Sequence, residues 1–236
     1  MEFRILGSLE VVAEGRALKL GGSRQRALLA LLLTRANEVV STDRLIDELW
    51  GARPPRTAAN ALQYHVSQLR KTLAPGGSLV TQDPGYLIQV GPDELDLLRF
   101  ERLVEEARRS SPELAAQLLR DALGLWRGQP LADLAHESFA QAEILRLEEL
   151  RLAALERRLE ADLELGRHAD LVGELEVLVR EHPLRERLRA ELMRALYGAG
   201  RQAEALEVYR ETRRLLVDEL GIEPSSCKRS SARTPP

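Results

Sequence analysis

The sequence predicts a mainly α protein in two parts: a small N-terminal α+β unit, then an all-α unit of repeated helices. Three observations carry this reading. The first twenty residues alternate in the two-residue period of strands, whereas the chain from Ser23 onward switches to the 3.6-residue period of helices. A turn-rich hairpin signal, Asp83-Pro84-Gly85, interrupts the helices once. From about Asp93 the apolar residues keep helical spacing throughout, and one short pattern recurs at a fixed interval.

The N-terminal elements follow in order. Phe3–Leu6 and Leu9–Val12 read as short strands about Gly7-Ser8, and Leu18–Leu20 as a third after the turn at Glu14-Gly15. Ser23 is placed to cap a first helix whose Ala27, Leu28, Leu31 and Leu32 form an apolar stripe ending near Asn37. Val39-Val40-Ser41 is an extended link, and Ser41 or Thr42 caps a second helix, Asp43–Trp50, stopped by Gly51 and Pro54-Pro55. A third helix begins near Arg56 or Thr57, runs to Leu73 and is stopped by Pro75-Gly76-Gly77. Leu79–Thr81 and Tyr86–Ile88 then form a hairpin. Strands, three helices and a terminal hairpin are the parts of a winged helix-turn-helix.

Beyond it, helices are expected over Phe100–Arg109, Pro112–Trp126, Glu137–Leu165, Leu184–Tyr197 and Ala203–Leu220. Leu165-Gly166-Arg167-His168-Ala169 recurs as Ala199-Gly200-Arg201-Gln202-Ala203 after 34 residues, the tetratricopeptide period. The division expected is therefore 1–92 for the winged helix and 93–224 for the helical repeats. The residues 225–236 lack any apolar face and are expected to be disordered.

Composition narrows the function. Nine aromatic residues leave the cores to Leu, Ala and Val. No apolar run has the length of a membrane span and the first residues are not a signal peptide, so a cytoplasmic location is expected. Cys227, a single thiol, excludes an intramolecular disulfide, and His65, His136, His168 and His182 lack metal-ligand spacing. No paired carboxylates, nucleophile elbow or phosphate loop marks an enzyme, and no cofactor is implied. Net charge is −3, yet residues 1–92 hold eleven Lys and Arg against eight Asp and Glu, and 49–82 contain no acid at all. A basic segment in an acidic chain points to a polyanionic partner.

The third helix makes that partner double-stranded DNA. Ala59, Leu62, Val66, Leu69 and Leu73 share one face and are expected to pack inward. The opposite face presents Asn60, Gln63, Tyr64, Ser67, Arg70 and Lys71. Asn and Gln pair with adenine edges, Arg reads guanine, and Ser or Tyr reaches phosphates or edges. A solvated helix face normally mixes Glu with Lys, and this one carries no acid. His65 flanks the apolar stripe and reads as structural. Arg56 and Thr57 at the start of this helix, and Ser23, Arg24 and Gln25 at the start of the first, are phosphate candidates. Gln82, Gly85 and Tyr86 are the wing candidates, with Tyr86 expected at the wing base.

The residues His65–Lys71 with Pro84-Gly85-Tyr86 resemble the OmpR/PhoB-type winged-helix domain. The runs Gly22–Leu33, Asp43–Gly51 and His65–Arg70, with Leu125-Trp126-Arg127-Gly128-Gln129-Pro130-Leu131 and Asp218–Pro224, resemble the Streptomyces antibiotic regulatory protein family and its bacterial transcriptional activator domain. The resemblance implies an actinobacterial activator of secondary-metabolite (antibiotic) gene clusters. It also implies binding to promoter direct repeats, two protomers on one DNA face, and recruitment of RNA polymerase through its sigma factor. After Pro224 the sequence departs from the family, with Ser225-Ser226-Cys227-Lys228-Arg229 where an apolar helix is usual. Larger relatives continue into an ATPase module; no GxxxxGK loop occurs here. The competing reading is a tetratricopeptide-type adaptor without sequence-specific DNA binding, for which binding to random duplex would show no salt dependence.

Overall fold

The computed structural model describes residues 1–51, 53–73 and 78–221, the side chains of 219 and 220 excepted. The stop at Pro75-Gly76-Gly77 and the tail 225–236 lie outside these residues. The described residues form strands β1 (Glu2–Arg4), β2 (Glu10–Ala13) and β3 (Arg16–Ala17), helix α1 (Ser23–Leu33), strand β4 (Val40–Ser41), and helices α2 (Thr42–Trp50) and α3 (Ala58–Leu73). Strands β5 (Leu79–Gln82) and β6 (Gly85–Ile88) follow, then helices α4 (Asp96–Ala107), α5 (Pro112–Leu123), α6 (Ser138–Glu164), α7 (His168–Glu181), α8 (Glu186–Gly198) and α9 (Gln202–Leu220). Among the described residues no helix is long and apolar enough to cross a membrane.

The chain divides into two compact units. The first is Met1–Glu105 with Asp121–Leu152; the second is Glu106–Arg120 with the chain from Ala153 onward. The sequence boundary at 92/93 does not coincide with this division, because residues beyond it pack with the winged helix.

In the first unit β1, β2 and β3 form an antiparallel meander, with Phe3 opposite Val11 and Val12 opposite Ala17. A second sheet has the order β4-β6-β5, so the extended link at Val40-Ser41 is a third strand of the wing. Helices α1, α2 and α3 pack on one another around Leu28, Leu32, Leu45, Leu62 and Leu69, all fully buried. Ser41 caps α2, its hydroxyl accepting from Arg44 N–H at 3.3 Å, and Gly51 ends it, as expected. Ser23 does not cap α1. The cap is Gly22, whose carbonyl accepts from Gln25 and Arg26 N–H, and α1 closes at Leu33 instead of near Asn37. Asn37 instead adopts φ 66° and clasps the chain after β6: its side chain donates to Val90 O at 3.0 Å and accepts from Val90 N–H at 2.9 Å.

What holds this unit together is the segment Ile5–Leu9, which runs through its interior. The Ile5 and Leu6 amides both donate to the Asp96 carboxylate at 2.9 Å. Their carbonyls accept from Leu131 N–H at 3.1 Å and Arg127 N–H at 2.8 Å, and Leu9 N–H donates to Asp133 at 2.8 Å. Residues Arg127–Asp133 are therefore a brace for the N-terminal sheet. Trp126 anchors it, edge-on to Phe100 at 5.4 Å between centroids and beneath the Arg151 guanidinium at 5.3 Å.

In the second unit α7 packs on α8 and α8 on α9. The sequence repeat is a repeat of backbone geometry. Gly166 (φ 76°) and Gly200 (φ 80°) make the same left-handed turn, which favours glycine. Arg167 N–H then bonds Asp162 O at 3.1 Å, and Arg201 N–H bonds Leu196 O at 2.8 Å. The helix after each turn begins two residues later, at His168 and Gln202; α7 was not among the helices expected individually. Asp162, 4% exposed in its side chain, accepts from Arg120 at 3.0 Å, Arg158 at 3.4 Å and Arg167 at 2.6 Å, so the buried charge is compensated threefold.

Asp96→Ala strands two buried amides and is expected to lower unfolding free energy by about 2–5 kcal/mol in urea titration. Glu191 is 3% exposed, and burial, opposed by Arg187, pushes its carboxyl up to about 7. Since the folded value lies above the unfolded one near 4.5, this group's stabilising contribution is full below about pH 4.5 and is lost as pH rises through about 7. Glu191→Gln is expected to flatten the stability profile between pH 5 and 8, where the wild type declines by about 3 kcal/mol.

Candidate nucleic-acid interface

Helix α3 owes its position to its inward face. Ala58, Leu62, Val66, Leu69 and Leu73 are buried against α1 and α2. The expected packing face is thus corrected at one position: Ala58 faces in and Ala59 is exposed. Two adjacent alanines offer no hydrophobic contrast, so the sequence could not choose between them. Ala59 consequently joins the outer face, where a methyl group suits contact with thymine. The helix starts at Ala58, with the Thr57 carbonyl accepting from Ala61 N–H at 2.9 Å and the Pro55 carbonyl from Ala58 N–H at 2.9 Å.

The outer face brings Asn60, Gln63, Tyr64, Ser67, Arg70 and Lys71 together in solvent, with Tyr64 60% exposed. One of these is already engaged. Arg70 Nε donates to Leu79 O at 3.0 Å and its Nη2 donates to Thr81 Oγ1 at 2.6 Å, which fastens the C-terminal end of α3 to wing strand β5. The expectation that Arg70 reads guanine assumed a free guanidinium fork, and two of its five donors are held by the wing. His65 is half-buried, 6.5 Å from Trp50 and 5.6 Å from Tyr64 between ring centroids. Burial, reinforced by the Arg24 charge, holds its pKa below the ordinary imidazole value, which favours the neutral ring.

The flanking candidates separate. Arg56, Thr57 and Ser23 are exposed, and so is Arg53, which the acid-free stretch contained but its loop position concealed. Gln25 is turned inward, 8% exposed, with Thr72 Oγ1 3.5 Å from its amide. Its burial leaves it unplaced for a phosphate. Arg24 bonds the Leu49 carbonyl and pairs with Glu137 at 3.2 Å, a partner 113 residues distant that no local pattern reveals. In the wing Gln82 is exposed, whereas Tyr86 is buried at the base as expected. Gly85 is buried too. A Cβ there would lie 1.9 Å from the Val40 carbonyl oxygen, so glycine serves the close approach of β4 to β6, not contact with DNA.

Comparison with known proteins agrees with this architecture. The family model for "Transcriptional regulatory protein, C terminal" matches residues 15–88, and that for the "Bacterial transcriptional activator domain" matches 95–233. The chain is 41% identical to the regulatory protein DnrI of Streptomyces peucetius, over 96% of this chain and 88% of DnrI. The chain belongs to the bacterial transcriptional activator domain family, as a Streptomyces antibiotic regulatory protein. The regulator is also 47% identical to the regulatory protein AfsR of Streptomyces coelicolor, over 95% of this chain but only 23% of AfsR. Among solved structures, Mycobacterium tuberculosis EmbR in complex with a low-affinity phosphopeptide superposes with a TM-score of 0.90 at 34% identity, over 95% of this chain and 62% of that one.

The placement of Arg70 predicts that Arg70→Ala loosens the wing. Affinity for operator and random duplex is expected to fall by a similar factor, about three- to tenfold, in fluorescence anisotropy. Gly85→Ala is expected to lower the midpoint of thermal unfolding by several degrees, as a clash with backbone cannot be relieved by a side-chain rotation.

Proposed function

We propose that this regulator is a sequence-specific DNA-binding transcriptional activator of a secondary-metabolite gene cluster. In this reading residues 1–92 bind promoter direct repeats and 93–224 serve activation. The observation that carries it is the outer face of α3, where six polar or basic side chains stand in solvent over a buried apolar stripe with no acid among them. Asn60, Gln63, Tyr64 and Ser67 are the base readers, joined by Ala59 on thymine methyls. Lys71, Arg56, Arg53, Thr57 and Ser23 hold phosphates, Gln82 lies at the wing, and Arg70 sets the wing's position. Direct repeats one helical turn apart would place two protomers head to tail on one DNA face. Recruitment of RNA polymerase through its sigma factor, a cytoplasmic location and the lack of enzymatic activity complete the proposal, supported by the character of the family.

The test is a pair of affinities for each variant, one on an operator and one on random duplex. Asn60→Ala is expected to lower discrimination between them by about 1–3 kcal/mol, and Arg56→Ala to weaken both equally. Wild-type binding to random duplex is expected to fall steeply with salt. If Asn60, Gln63 and Ser67 can be replaced together without altering operator affinity, α3 is not the reader. A flat salt dependence would favour the adaptor.

A further inference from the structure

The second unit carries a surface that DNA recognition does not use. Along α8 and α9 two open hollows, about 840 and 470 Å³, both reach Tyr209. Their floor is apolar and exposed, with Tyr197 67%, Leu206 57% and Val217 42% accessible. On α9, Gln202, Leu206, Tyr209, Arg213 and Val217 succeed one another by three and four residues, so they share one face. Side chains of this size are normally buried in a globular unit, and Tyr with Arg is the composition of interface anchors.

The charge around this floor selects what covers it. Arg194, Arg210 and Arg214 line the two hollows, and among the described residues none of them has an acidic partner. Among the described residues that line the hollows, Asp218 is the one acid. Of the other acids on α9, Glu204 and Glu211 lie opposite the Leu206–Tyr209 face and Glu207 lies on the flank of Arg214; none of the three is among the residues lining either hollow. A second copy presenting the same face would set arginine against arginine. The residues 222–236 hold three Lys and Arg against one Glu, so they too are of the wrong sign. We propose that this groove docks an acidic segment of another protein that carries bulky apolar side chains: the apolar groups seat on Tyr197, Leu206 and Tyr209, and its carboxylates meet Arg194, Arg210 and Arg214.

The proposal is tested on the full chain with two synthetic peptides, one of four Glu-Asp-Leu-Phe repeats and one of four Lys-Arg-Leu-Phe repeats. The acidic peptide is expected to bind, to shift the ring resonances of Tyr197 and Tyr209, and to weaken about tenfold or more in the triple variant R194E/R210E/R214E. The same variant is expected to keep its circular dichroism and its affinity for DNA. Asn60→Ala is expected to leave peptide binding unchanged, so failure of this proposal is distinguishable from failure of the DNA reading. Equal binding of both peptides, no loss in the triple variant, or a self-associated dimer that shields Tyr197 and Tyr209 without peptide would overturn it.

Discussion

Ile5, Leu6, Gly7 and Leu9 are buried, and a buried amide or carbonyl without a partner costs about 1–3 kcal/mol. β1 ends at Arg4 and β2 begins at Glu10, so no ladder supplies those partners. They come instead from Asp96, Arg127, Leu131 and Asp133, residues 90 to 126 positions downstream. This requirement joins Asp121–Leu152 to Met1–Glu105 in one compact unit. It also gives a physical meaning to Leu125–Leu131: Trp126 packs on Phe100 while Arg127 and Leu131 close the backbone bonds of Ile5 and Leu6. The same brace reaches the helices that seat α3. Arg26 pairs with Asp133 and Arg24 with Glu137, so α1 is held by charges from beyond the winged helix itself.

The second unit meets a different constraint. A helical repeat buries its faces only by stacking, and the turns must return the chain without exposing helix ends. Gly166 and Gly200 do this identically, and the three arginines on Asp162 neutralise the charge trapped beside the first turn. Glu191 is the less complete case. Arg187 approaches one oxygen at 3.3 Å, while the other is buried without a donor among the described residues, and its carboxyl resists ionisation accordingly.

Much of this was legible in the residues. The turn at Asp83-Pro84-Gly85, the cap at Ser41, the stop at Gly51 and the 34-residue recurrence each rest on local chemistry, and each appears where that chemistry placed it. The outer face of α3 was legible because four inward residues, Leu62, Val66, Leu69 and Leu73, fix its phase. What failed was non-local or degenerate. Ala58 and Ala59 are chemically alike; Gly22 displaced Ser23 as a cap. Gln25, Arg24 and Arg70 have partners from 9 to 113 residues away, and only the fold reveals that their polar groups are engaged. Gly85 reads as a wing candidate from the sequence, and the structure sets it against the Val40 carbonyl.

The central claim is that α3 enters the major groove with its Asn60–Ser67 face on the base edges. Methylation protection measures this directly, because guanine N7 is accessible only from the major groove. On a duplex selected from random sequence by the wild-type chain, guanine N7 protection is expected in clusters one helical turn apart on one face. The protection is expected to vanish within each cluster when Asn60, Gln63 and Ser67 are replaced together. Full occupancy with every guanine N7 still reactive would contradict the account.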